Sequence, residues 1–182
     1  MRNSKVKGFT LIELIVVIAI IGVLAAILVP SMLGYVRNAR ISSANANAKQ
    51  VHTAASSVLT QLGIDNVALG GKVETITISA AANDVVDAKF SGAGASITND
   101  RSDFISYLGE NFNGGGKAWF NPSTYSVYVA AWSSKPGDIV DSEIISGTAS
   151  QVTSTMQKTW AKTAGKIVGV YPLKNDSSTS GT

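Results

Sequence analysis

Residues 14–36 contain no charged side chain. At about 1.5 Å per residue such a helix spans a hydrocarbon core of about 30 Å. A single folded domain of ordinary size has no way to cover a helix that is apolar on every side, so the segment must lie in lipid or among copies of itself. Arg2, Lys5 and Lys7 stand just before it, and this basic flank predicts a cytoplasmic start with the remainder of the chain outside. Between the basic flank and the apolar run stands Glu13. A carboxylate in a membrane helix costs roughly 2.5–3.5 kcal/mol at the helix centre on insertion scales. An ordinary anchor gains nothing from carrying one.

Two general readings of this segment leave residues unexplained. A secretory signal would place its small-residue cleavage site at Val23-Leu24-Ala25, and a plain transmembrane anchor needs only the apolar length. Neither accounts for Gly8 or for Glu13. Taken together, Lys7-Gly8-Phe9-Thr10-Leu11-Ile12-Glu13 and the following LIVVIAIIGVLAAILVP resemble the class III leader of type IV pilins and of the type II secretion pseudopilins.

The resemblance implies an α+β, type IV pilin-like fold: a long N-terminal helix, transmembrane in its first half, packed on an antiparallel sheet. It implies cleavage by a membrane prepilin peptidase between Gly8 and Phe9, and N-methylation of Phe9. The cut exposes an amine four residues from Glu13. In a bundle of such helices the amine of one copy can meet the Glu13 carboxylate of the next, an attraction of about 4 kcal/mol at about 4 Å and an effective dielectric of about 20. Pairing of that size offsets the cost of burying the acid. The implied partners are further copies of the chain in a helical polymer, the peptidase, a pilus or secretion assembly platform, and cytoplasmic membrane lipid before assembly. The expected location is the cytoplasmic membrane first and a surface fimbrium afterwards.

The helical pattern continues past Pro30. Ile41, Ala44, Ala48, Val51, Ala55, Val58 and Leu62 recur at steps of three and four, one apolar stripe on a helix. The expected helix runs from about Phe9 to Leu62, with Gly63 at its C-terminus. Pro30 removes a backbone donor, and with Gly34 it marks where the helix is expected to kink or loosen. The domain division that follows is 1–8 leader, 9–36 transmembrane or filament-core helix, 37–63 amphipathic half of the same helix, 64–174 globular α/β head and 175–182 disordered tail. Arg37 and Arg40 are expected to face headgroups or solvent, the alternative being pairing with acids of neighbouring subunits. His52, the single histidine, has no clustered ligands and is a poor metal or catalytic candidate.

In the head, 73–78 and 85–90 read as strands, 91–100 as a loop, and Ser102 as the cap of a short helix bearing Phe104 and Leu108. The clearest signal is a hairpin, Lys117–Asn121 and Tyr125–Trp132 around Pro122-Ser123-Thr124. Val127 and Val129 are expected on one face of its second strand, and Tyr128, Ala130 and Trp132 on the other. Asn113-Gly114-Gly115-Gly116 reads as a flexible loop. Residues 150–164 form a helix with Val152, Met156 and Trp160 on one side, ended by Gly165, before a strand over 166–171. Trp119, Trp132 and Trp160 are expected in the core or in subunit contacts.

Cysteine is absent, which excludes disulfides and thiolate metal sites. Type IV pilins that close a C-terminal loop with a disulfide are therefore not matched in that respect. The net charge of +3 equals the charge of the leader, so the processed chain is neutral and a bulk electrostatic case for nucleic acid disappears. No phosphate loop, zinc spacing or nucleophile–histidine pair is present, and no enzyme and no cofactor are expected. Asn99-Asp100-Arg101-Ser102-Asp103 offers oxygen ligands for Ca²⁺, against which the central arginine argues. The expected function is a structural subunit of a surface filament for adhesion or motility. The alternatives are a major pseudopilin of a secretion or competence system, and a membrane-anchored adhesin or carbohydrate-binding module.

Overall fold

The computed structural model describes residues 8–67, 69, 74–81, 85–91, 101–108 and 112–175. Helix α1 runs from Leu11 to Ile64. Strands β1 (Glu74–Ala81) and β2 (Val85–Ser91) and helix α2 (Arg101–Leu108) follow. Next come β3 (Gly115–Asn121) and β4 (Ser126–Ser133), a 3-10 turn at Pro136–Asp138, and the one-turn helix α3 (Asp141–Ile144). A small ribbon of β5 (Ile145–Ser146) and β6 (Ala149–Ser150) leads to α4 (Ser154–Thr163) and β7 (Val168–Tyr171). The chain divides into two compact units at Arg37/Asn38. In the N-terminal unit, α1 residues from Leu11 to Val36 expose their large apolar side chains, and the helix is long and apolar enough to cross a membrane.

In the second unit the rest of α1 lies on one face of a five-stranded antiparallel sheet ordered β2-β1-β3-β4-β7. All seven residues of the expected stripe are buried, joined by Ala54 and Leu59. All but Ile41 join Ile76, Ile78, Ala118, Phe120, Ala130 and Trp132 of the sheet, and Phe104 and Leu108 of α2, in one core. The contact is close because small residues face each other. A Cβ on Gly116 would lie 2.7 Å from Val51 Cγ2, and one on Gly169 would overlap the Ala44 carbonyl. This explains why the expected flexible loop at 113–116 is partly strand: Gly115 and Gly116 belong to β3, where a bare backbone lets the helix approach.

The opposite face of the sheet is also covered. Trp119, Val129, Ala131, Val168 and Val170 pack under Ile144 and Val152. The covering segment, 136–153, is pinned by Lys117–Asp141 at 2.7 Å and by a Lys166–Glu143 ion pair. Gln151 donates to the Ser142 carbonyl. None of α3, β5 or β6 was expected, because elements of two to four residues leave no periodic signal.

Several local expectations are corrected. In β4 the faces exchange: Val127 packs with the core beneath α1, and Tyr128 joins Val129 on the far side. Trp119 pairs with Val129 and Phe120 with Val127, so Tyr128 is the extra residue of a β-bulge. Tyr125 lies in the turn rather than in the strand, at φ 52°, and its hydroxyl donates to the Val67 carbonyl at 2.7 Å. Helix α2 starts at Arg101, which puts Ser102 inside its first turn and not at the cap. Val152 precedes α4, whose buried positions are Gln157 and Ala161 instead of Met156 and Trp160; Thr153 caps it by accepting from Met156 N at 3.2 Å. Helix α1 passes Gly63 and ends in a Schellman arrangement: Val67 N donates to Leu62 O at 3.0 Å and Asn66 N to Gly63 O at 3.3 Å. Asn66, at φ 58°, takes the left-handed position assigned to the glycine. The leader before Gly8, most of the 91–100 loop and the tail beyond Asn175 lie outside the described residues.

Candidate functional site

Thr10 stands just before helix α1, whose first turn holds Leu11, Ile12 and Glu13, and Thr10 and Glu13 bind each other. Thr10 N donates to Glu13 Oε2 at 2.9 Å, and the Thr10 hydroxyl donates to the same oxygen at 2.6 Å. In return Glu13 N lies 3.4 Å from Thr10 Oγ1. This is a capping box, which satisfies helix-end donors that would otherwise be orphaned. Both good bonds use Oε2, so Oε1 of Glu13 keeps its lone pairs free. The threonine was missed as a site residue in the sequence, although a Thr followed three places later by Glu before an apolar run is the signature that finds it.

Phe9 precedes the cap and is 88% exposed, and Gly8 is exposed with open space around it. The scissile junction proposed from the sequence is thus adjacent to the capping box and accessible. Further along, the helix is continuous through Pro30 and Gly34. Pro30 has no N–H for the carbonyl four residues earlier, and the Ser31 hydroxyl donates to Leu28 O at 2.8 Å. No helix break accompanies the proline in the single chain.

In the second unit, His52 sits half-buried, its ring edge-on to Tyr171 at 5.1 Å. Burial pushes its pKa below the ordinary histidine value, opposed by a hydrogen bond to the Val127 backbone. Asn45 and Gln157 form a reciprocal amide pair at 2.7 and 3.2 Å. Gln157 also donates to Val168 O at 2.9 Å, and Val170 N donates to Asn45 Oδ1 at 3.0 Å. These are structural junctions. The candidate Ca²⁺ segment at 99–103 begins outside the described residues, and among the described residues no three His, Asp or Glu side chains group as metal ligands. Trp119 and Trp132 are buried, and the Trp132 indole donates to Asn113 O at 2.9 Å. Lys166 stands 4.9 Å over the half-buried Trp160 ring.

Comparison with known proteins bears on the same end of the chain. Residues 3–29 match the family described as the prokaryotic N-terminal methylation motif. The fimbrial protein EcpC of Eikenella corrodens is 41% identical over 105 residues, covering 52% of this chain and 69% of that protein. The type IV major pilin protein PilA of Myxococcus xanthus is 42% identical over 59 residues, 32% of this chain and 27% of its own length. The type IV major fimbrial protein FimA of Dichelobacter nodosus is 45% identical over 57 residues, 31% and 36% of the two lengths. This chain therefore spans about a third or less of the length of those last two relatives. No solved structure matches it.

Proposed function

The chain belongs to the type IV pilin family, and from that premise we propose that it is the structural subunit of a surface filament, held in the membrane by its N-terminal helix before it polymerises through that helix. The observation that carries the reading is an apolar helical half, from Leu11 to Val36, whose large side chains are all exposed within its own chain. Lipid covers such a surface in the precursor, and copies of the same helix cover it in a polymer.

On this reading a prepilin peptidase cuts between Gly8 and Phe9, and the new Phe9 amine is methylated. The accessible junction and the methylation-motif match support both steps. The capping box then has a second use. Thr10 fixes one carboxylate oxygen of Glu13 and leaves Oε1 for the Phe9 amine of an adjoining copy. A held acceptor loses less side-chain freedom on pairing than a free one, and the pair offsets the cost of the buried acid. Pro30 and Gly34 are where the helix loosens on assembly, because Pro30 already lacks one ladder bond.

The test is electron microscopy of sheared surface material with N-terminal sequencing of its subunit. Long fibres that begin at methylated Phe9 are expected. Glu13→Ala should still be inserted and cut, yet should lower fibre yield at least about tenfold, the equivalent of losing one charge-assisted bond. Full yield from that variant sinks the role given to Glu13. Processed subunit confined to the membrane with no fibre points instead to a secretion pseudopilus.

A further inference from the structure

One surface of α1 has no part in the functions above. His52, Thr53, Ser56, Ser57, Thr60 and Gln61, with Tyr107 of α2, line an open groove of about 480 Å³. Its hydroxyls along α1 are turned one way. Thr53 Oγ1 donates to Lys49 O, Ser56 to His52 O, Ser57 to Thr53 O and Thr60 to Ser56 O, at 2.7 to 3.1 Å. All four hydroxyl protons are spent inward, so the oxygens face the groove as acceptors. The Gln61 amide nitrogen is turned to Asp65, 3.3 Å from each carboxylate oxygen, which leaves its carbonyl oxygen to the groove. His52 is held towards its neutral form by burial. The α1 side of the groove thus presents a row of acceptors beside the Tyr107 hydroxyl, with the Asp65 carboxylate at one end and no cation among the lining residues.

The complementary group is one with several donors and no acceptor, and a guanidinium is that group. The chain has one at Arg40, exposed and without an ion pair or hydrogen bond among the described residues. Arg40 shares the helix face of Val51 and Val58, the face that lower down turns to the sheet. At about 100° per residue, the groove hydroxyls lie roughly half a turn away from it. Arg40 cannot reach the groove of its own helix. Arg40 of another copy can, and contact between two different faces of one helix is heterologous, the kind that repeats without closing.

We propose that the hydroxyl-lined groove of α1 receives Arg40 of a neighbouring copy, and that this contact sets how far successive subunits are displaced along the fibre. The inference rests on the polymer reading above and adds a second contact to the one at Glu13.

Charge exchange tests it. Thr53→Lys puts a cation in the groove at an exposed position, and Arg40→Glu removes the guest. Each alone should lower fibre yield about tenfold, as expected for a charge-assisted contact, and the two together should restore it to within about twofold. Single variants with full yield, or a pair that restores nothing, overturn the proposal. Because the chain has no native cysteine, Arg40→Cys with Ser57→Cys gives an independent reading. Treatment of fibres with a bis-maleimide should produce a ladder of covalent multimers that neither single variant shows. Fibres without the ladder overturn the groove contact and leave the polymer intact. Absence of fibres from the unaltered chain overturns the polymer reading itself.

Discussion

Thr10 and Glu13 form a unit whose geometry divides the work of one carboxylate. One oxygen closes the helix end, and the other stays available. Thr10→Val keeps the shape and removes the hydroxyl, so Glu13 should lose one of its two local donors. Fibre yield, scored by shearing and electron microscopy, is expected to fall by less than in Glu13→Ala, with processing unchanged. His52 makes a separate prediction. Its pKa is lowered in the folded chain, so the unfolded chain binds the extra proton first. The resulting stability is fully present above the ordinary histidine value, about 6.5, and is lost as pH falls from there through the lowered folded value. Thermal unfolding of the detergent-solubilised chain should show a falling midpoint on acidification below about pH 6.5. His52→Gln should flatten that part of the profile. At this scale Glu13 stands out in the sequence as an acid beside an apolar run, whereas Gly8 and Phe9 are marked only by the resemblance to the class III leader. His52 was visible only as a lone histidine, because its neighbours Tyr171 and Val127 come from distant strands.

At the scale of elements, the junction of α1, α4 and β7 holds the helix to the sheet edge. Asn45 bonds Gln157 and the Val170 amide, and Gly169 admits the Ala44 backbone beside them. Asn45→Leu leaves the buried Gln157 amide and Val170 N–H short of partners, a cost of about 2–3 kcal/mol. The thermal midpoint should drop by about 5 °C or more. The stripe from Ile41 to Leu62 was readable because 3.6-residue periodicity is a local property of one helix. The order of the strands was not, since long-range pairing leaves no mark in either partner alone. The exchange of faces in β4 was hidden for a related reason: strict alternation assigns Tyr128 and Val129 to opposite sides, and only the register against Trp119 and Phe120 reveals the bulge. Helix ends failed where the left-handed residue is Asn66, for asparagine takes that conformation less often than the glycine three places earlier.

Across the whole molecule, the α-helical spine and antiparallel sheet were inferred from the leader, while the second layer over the sheet came only from the structure. That layer is closed by two ion pairs and by Ile144, which is fully buried. The apolar plug outweighs the charges: Ile144→Ala should cost about 2–5 kcal/mol, whereas either ion pair at a partly exposed site contributes about 0–1 kcal/mol. Thermal melts of the two kinds of variant would separate these magnitudes. A clasp made without sulfur is indifferent to the redox poise of its surroundings. The head needs no oxidant to close it, and it keeps the same midpoint in the presence of a strong thiol reductant.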